Sequence, residues 1–193
     1  MKVVLSRKGF DSNFGGYPSP ILPNNELVSL PIPSNDKIKY SDLRLKTQKS
    51  YFDLMRKLNK KIKYNKKWHK LTKKTECHLD PDIYTNIFKR KKEWKPSLGQ
   101  IGQSQSHLSN NGIKKGDLFL FFGWFKKTIM KNNKLSFDKH APDIHIIFGY
   151  LQIGKKIQVN NQTKIPNWVE YHPHVMNKYR KKLQIQFICQ KII

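Results

Sequence analysis

Several stretches of this sequence carry side chains able to move a proton or hold a phosphate. The first, Ser6-Arg7-Lys8-Gly9-Phe10-Asp11-Ser12, opens a loop rich in glycine, serine and proline that runs to Pro20. Glycines in such a loop let successive backbone N–H groups face an anion, so Arg7, Lys8 and Ser12 are candidate phosphate ligands. The spacing is not that of a P-loop. Asp11 is a candidate base or ribose ligand. The second stretch is Glu76-Cys77-His78-Leu79-Asp80-Pro81-Asp82. His78 is suited to acid–base work near neutral pH. Asp80 before Pro81 reads as a helix N-cap, with Asp82 in the first turn and the helix continuing through Ile83, Ile87 and Phe88. Gln100 and Gln103 can each donate and accept, as a base edge requires. His145 is a second acid–base candidate, and Trp124, Tyr150 and Gln152 could stack on or read a base. His172-Pro173-His174 has a spacing that can bind metal, but beside proline it reads as loop. No residue is assigned to a metal and no cofactor is expected.

The elements that must position these groups centre on Lys115 to Gly154. Asp117 to Phe125 is a run of apolar residues at consecutive positions, which predicts a central strand covered on both faces. Ile144 to Ile153 predicts a second strand. Simple alternation would separate His145 from Tyr150 and Gln152; a bulge at Gly149 would bring all three onto one face. Lys2 to Ser6 predicts a short first strand, Pro23-Asn24-Asn25-Glu26 a hairpin turn, and Leu27 to Pro33 an edge strand limited by its prolines. Tyr51, Leu54, Met55, Leu58 and Ile62 recur at helical spacing, with Ser41-Asp42 as a candidate cap. Trp94 to Gly99 reads as a linker. Gln100 to Leu108 predicts a second helix, with Ile101, Ser104, Gln105 and Leu108 on one face, ending near Asn110-Asn111-Gly112.

The chain has 193 residues and a formal charge of +25. That field suits a nucleic acid or another polyanion. Only Arg7, Arg44, Arg56, Arg90 and Arg180 are arginines, however, and the lysine, asparagine and isoleucine abundance equally fits compositional drift. Arg56 to Lys74 is a basic tract without an acid, read as a solvated insertion. Two cysteines exclude a disulfide framework and paired-cysteine zinc spacing. The start lacks the apolar length of a signal peptide, and no run has the roughly 18–20 apolar residues of a membrane helix. A cytoplasmic, reduced protein without a membrane partner is expected.

Taken together, several of these segments resemble one family. They are Ser6 to Ser12 with Gly16 and Pro18-Ser19-Pro20; Ser29-Leu30-Pro31-Ile32-Pro33; His78 to Asp82; Gly99-Gln100 with Gln105 and His107-Leu108; Gly116 to Phe125; His145 with Gly149 to Gly154; and His172-Pro173-His174. The chain is similar over most of residues 1 to 174 to the nucleotide modification associated domain family, third type. The resemblance implies an α+β domain found with phage and bacterial systems that make or handle modified DNA bases. A looser likeness connects the Gly-Asp lead into an aromatic strand with PUA-like barrels that hold a base. The basic tract at about 56–75 departs from the pattern as an insertion. From Met176 the pattern fades, so 176–193 reads as a divergent or truncated end after a single domain spanning 1–175.

The expected architecture is α+β, with a mixed, mostly antiparallel curved sheet or partial PUA-like barrel and two to four helices. The expected function is binding of a nucleotide or flipped DNA base in an aromatic- and amide-lined pocket. The partner would be a nucleotide or DNA, modified or single-stranded. One alternative is an enzyme that modifies or hydrolyses a nucleotide or base using Asp11 with His78 or His145. The other is an accessory protein that binds polyanions through charge alone.

Overall fold

The structure, a computed structural model, describes residues 1–160 and 162–176, and the backbone of 184–188. In chain order the strands and helices are β1 (Val3–Arg7), β2 (Ser19–Ile21), α1 (Tyr51–Leu58), β3 (Lys61–Tyr64), β4 (Lys67–Lys70), β5 (Ser97–Ile101) and α2 (Gly102–Asn110). They continue as β6 (Leu118–Lys131), β7 (Lys134–Phe137), β8 (Ile144–Gln152), β9 (Lys155–Val159) and β10 (Gln184–Ile188). The architecture is α+β. Among the described residues there is no helix long and apolar enough to cross a membrane.

Strand β6 is the spine. Its segment Leu118–Phe122 is bonded on both edges at once, to β1 on one side and β8 on the other. Farther along, β6 pairs with β2 at Phe125–Lys127 and with β7 at Thr128–Lys131. Both β1 and β2 run parallel to β6, whereas β7 and β8 run antiparallel. The expected mixed sheet is found, but around β6 its described pairings are evenly parallel and antiparallel rather than mostly antiparallel. The glycine-rich loop after β1 makes an excursion and returns the chain to β6 in its original direction, which forces parallel pairing. A second sheet has β10 between β5 and β9, antiparallel to both.

The expectation that both faces of the central strand are covered is also corrected. Along β6, Phe119, Phe121, Gly123 and Phe125 are buried, while Leu118, Leu120, Phe122 and Trp124 are only half-buried. The buried face packs with Leu98, Leu108, Ile113, Leu151 and Ile153. The expected bulge in β8 is present: Phe121 opposes Gly149, but Phe122 opposes Ile147. Phe148 is the extra residue, and its ring joins Phe121 and Phe125 on the buried side. The shift brings His145, Ile147, Tyr150 and Gln152 onto the outer face with Trp124.

The two helices differ from their expected bounds for local reasons. Helix α1 starts one residue after Ser50, whose hydroxyl accepts the Asp53 N–H, so Ser50 and not Ser41 or Asp42 is the cap. It stops at Leu58, and Ile62 belongs instead to a β3–β4 hairpin. The hairpin turns through Asn65 and Lys66, both at positive φ, the conformation two-residue hairpins favour. Helix α2 begins at Gly102, so Gln100 and Ile101 lie on β5, as does the second half of the supposed linker. Gln105 and Leu108 face inward as expected, but Ser104 is exposed. No α-helix follows Asp80; only a 3-10 turn forms at Thr85–Ile87.

A large second cluster, including Phe10, Leu30, Tyr40, Leu43, Met55, Ile62, Cys77 and Leu79, is built from α1, β3 and the loops around them. A third gathers Val159, Trp168, Val169 and Val175. Gly123 marks a close approach between the spine and the loop after β1. A Cβ there would lie 2.7 Å from the Lys8 carbonyl oxygen. Gly123→Ala is therefore expected to destabilise the fold by about 1–3 kcal/mol. A urea unfolding curve would show the lower midpoint.

Candidate functional site

The three clusters meet at one polar junction. Leu79 belongs to the large cluster, Leu98 to the one beneath the central sheet, and Val175 to the third. Their chain neighbours are His78, Asp80, Gly99 and His174. Asp82 and Ser97 exchange backbone hydrogen bonds of 2.9 and 2.8 Å. That pairing lays 80–82 along β5 and brings the Asp80 carboxylate to Gly99, whose N–H donates to Oδ1 at 2.7 Å. Lys8 donates to Oδ2, also at 2.7 Å. His172 Nε2 lies 3.4 Å from Oδ1 and His174 Nε2 lies 3.8 Å from Oδ2. Gly99 is needed because a Cβ would come within 2.2 Å of the His174 ring, which lies against the strand.

A chain of polar contacts leads away from this carboxylate. His174 Nε2 lies 3.1 Å from His78 Nε2, and the two rings meet edge to face. His78 Nδ1 lies 2.6 Å from Asp36 Oδ2. Asp36 and His172 are wholly buried, while the His78 side chain keeps 17% exposure. Backbone bonds hold these segments in place: His78 N–H donates to Ile32 at 2.8 Å, and the His174 N–H donates to His172 Nδ1.

The electrostatics follow from burial. Desolvation by itself would raise the Asp80 pKa, but the Lys8 charge, the His172 hydrogen bond and the neighbouring imidazoles outweigh it and hold Asp80 well below the carboxylate range. For His174 burial wins. It lowers the pKa from 6.5 to about 3 despite the opposing pull of Asp80. The ring is thus neutral at physiological pH. Ligand atoms of His78, Asp80 and His174 lie within 4.8 Å of one another, close enough to share one ion. A cation is nevertheless already in place on Asp80, the Lys8 ammonium.

The family model described as nucleotide modification associated domain 3 matches residues 2–191. The chain belongs to this family. The match extends past Met176, where the resemblance was expected to fade. No curated protein and no solved structure is significantly similar to the chain. Four of the segments that carry the family resemblance meet at the junction, through Lys8, His78 with Asp80, Gly99, and His172 with His174.

The other expected site residues lie elsewhere. Asp11 spends its carboxylate on the N–H groups of Asn13 and Phe14, a local turn in which Ser12 is exposed. Arg7, Gln100 and Gln103 line an open groove of about 410 Å³ beside β1 and α2. Trp124, His145, Tyr150 and Gln152 share the outer sheet face, with Trp124 donating to Asp143 at 2.9 Å and Gln152 to the Gly116 carbonyl at 3.1 Å. Lys8 and His78 alone, among the expected catalytic, phosphate-binding and base-binding residues, reach the junction. Arg7 and Lys8 therefore diverge, one to the surface and one to the buried carboxylate.

Two expectations for this region are corrected. Asp80 caps no helix, because its carboxylate is committed to Lys8 and Gly99. His174 lies in a buried 3-10 turn that His172 caps, where the segment was expected to be loop. Asp36 carried no sequence signal at all. Asp82 forms a separate node: Arg90 meets it with a two-pronged pair at 2.6 and 2.7 Å, and Trp94 and Tyr171 also donate to it.

The neutral state of His174 has a measurable consequence. Between pH 6.5 and about 3 the unfolded chain takes up a proton there that the folded chain refuses. Stability from this residue is therefore complete above 6.5 and declines as pH falls toward about 3. Urea midpoints should fall across that range in the wild type and less steeply in His174→Gln.

Proposed function

We propose that the chain is an enzyme of nucleotide modification whose proton chemistry is carried by His78. The observation that carries this reading is the Asp36–His78–His174 chain set beside the buried Lys8–Asp80 pair. Asp36 accepts the Nδ1 proton and fixes the imidazole, which leaves Nε2 as the atom that gives or takes a proton. His174 stays neutral beside it and holds that nitrogen at hydrogen-bond distance. Lys8 is positioned to stabilise negative charge that develops on a bound substrate. The family description and the charge of +25 support a nucleotide or nucleic-acid base as the substrate class. The Lys8 ammonium at Asp80 favours proton chemistry over a metal, because an ion held by Asp80 would face a fixed like charge.

The test is incubation of purified protein with nucleotides and with single-stranded DNA, followed by digestion and mass spectrometry of the nucleosides. His78→Gln should lower product formation by about 10²–10⁴-fold with the melting temperature retained. Asp36→Asn, which changes an orienting group, should lower the rate and move its pH profile. Chelator should leave the rate unchanged. Equal product from His78→Gln and the wild type, or no mass change with any substrate, would refute the assignment.

A second reading rests on the outer sheet face. Trp124 is half-buried there, and Tyr150, 62% exposed, shares the face with exposed His145. Base stacking on such rings contributes about 1–3 kcal/mol per base. This face and the Lys8–His78 junction lie on opposite sides of the sheet, so one base cannot use both. Loss of nucleotide affinity in Trp124→Ala/Tyr150→Ala, with no effect of His78→Gln on product or binding, would select this reading.

A further inference from the structure

The basic tract, expected to be a solvated insertion, contains the β3–β4 hairpin, and its second strand is exposed throughout. Its backbone exchanges hydrogen bonds with the glycine-rich loop, Gly15 N–H to Lys63 O at 2.8 Å and Lys63 N–H to Gly15 O at 3.1 Å. Ile62 is buried in the large cluster, and a Cβ on Gly16 would strike Trp68. The hairpin therefore has a fixed position. Its register puts Lys61 opposite Lys70 and Lys63 opposite Trp68, all on one face. Like charges directly opposite each other disfavour a strand pair. Among the described residues no carboxylate forms an ion pair with Lys61, Lys63, Lys66, Lys67 or Lys70. Trp68 sits among them at 49% exposure. Cations without counter-charges around an indole suit a nucleic-acid strand, whose phosphates meet the lysines while a base stacks on the ring.

The opposite face of the hairpin turns toward the centre. Ile62, Tyr64 and His69, with the edge residue Lys70, wall a cavity of about 470 Å³ whose other wall includes Pro33, Ser34, Asn35 and Glu76. Among the described residues the buried Ser34 hydroxyl there has no hydrogen-bond partner. The same two loop segments carry Asp36 and His78. A strand held on the hairpin is thus held by an element that adjoins the segments of the junction.

We propose that the β3–β4 hairpin is a backbone-binding arm for single-stranded nucleic acid. It follows that the base acted on by the His78 centre belongs to a polymer and is not a free nucleotide. This last step rests on the function proposed above; the binding itself does not.

The test is fluorescence anisotropy of a labelled single-stranded oligonucleotide across a salt series. The wild type is compared with Lys61→Gln/Lys63→Gln/Lys70→Gln and with Lys131→Gln/Lys139→Gln/Lys155→Gln, which removes the same charge elsewhere. The hairpin variant should lose about tenfold or more in affinity, and its log–log salt slope should become shallower by about 2. Its melting temperature should hold or rise, since repulsion is relieved. The second variant should bind nearly as the wild type does. Equal weakening of both variants would show that only net charge matters, and unchanged binding by the hairpin variant would remove the arm; either result overturns the proposal. Greater dependence of anionic vesicles than of oligonucleotide on the hairpin lysines would overturn it too. His78→Gln separates the two ideas, because it should bind like the wild type yet form no product. Hairpin-dependent binding together with full turnover by His78→Gln would sink the chemistry alone.

Discussion

A carboxylate buried away from water must be answered by donors and cations, or it will not stay charged. Asp80 is answered by three parts of the chain: the loop after β1 through Lys8, β5 through the Gly99 N–H, and the 172–174 turn through its histidines. These contacts gather segments that belong to different hydrophobic clusters. The junction is therefore structural and chemical at once. The same requirement that keeps Asp80 ionised sets the His174 ring on Gly99 and so places it against His78.

Asp82, two residues on, shows what a purely structural solution looks like. Its oxygens are taken up by Arg90, Tyr171 and the Trp94 indole, and Arg90 is enclosed by aromatic rings with its centre 4.2 Å from that of Trp94. The planar guanidinium fork matches the carboxylate and leaves nothing to react. Asp80 has a single flexible ammonium and imidazoles instead. The His174 imidazole in turn meets His78, whereas the Arg90 guanidinium is closed in by rings. The difference between the two aspartates is the difference between a brace and a working site.

The central sheet divides the surface chemistry. Its buried face is a row of phenylalanines on β6, and the Phe148 bulge adds another ring to that row. Its outer face keeps Val3, Leu5, Ile147 and Tyr150 more than half exposed. Arg7 and Lys8 are consecutive, yet strand alternation sends them to opposite sides. A loop that read as one phosphate-binding device is thereby split. Lys8 serves the junction and Arg7 the groove beside β1, while Asp11 closes its own turn.

The amino-acid sequence determined the local features. Aromatic and β-branched runs gave β6 and β8, an interior glycine marked the bulge, helical spacing located α1 and α2, and repeated family segments gave membership. These are short-range consequences of backbone sterics, periodicity and turn chemistry. Only the tertiary structure decided that β1 and β2 run parallel to β6, that the lysine tract closes as a hairpin against Gly15, and that Asp36, His78, His174 and Asp80 converge. Strand direction depends on where a loop returns the chain. Convergence depends on packing between residues as far apart as 8 and 174, and a single sequence carries no periodic signal for that. Asp80 illustrates the limit: before proline it has every local mark of a helix cap, but the distant Lys8 ammonium and Gly99 N–H compete for its oxygens and win.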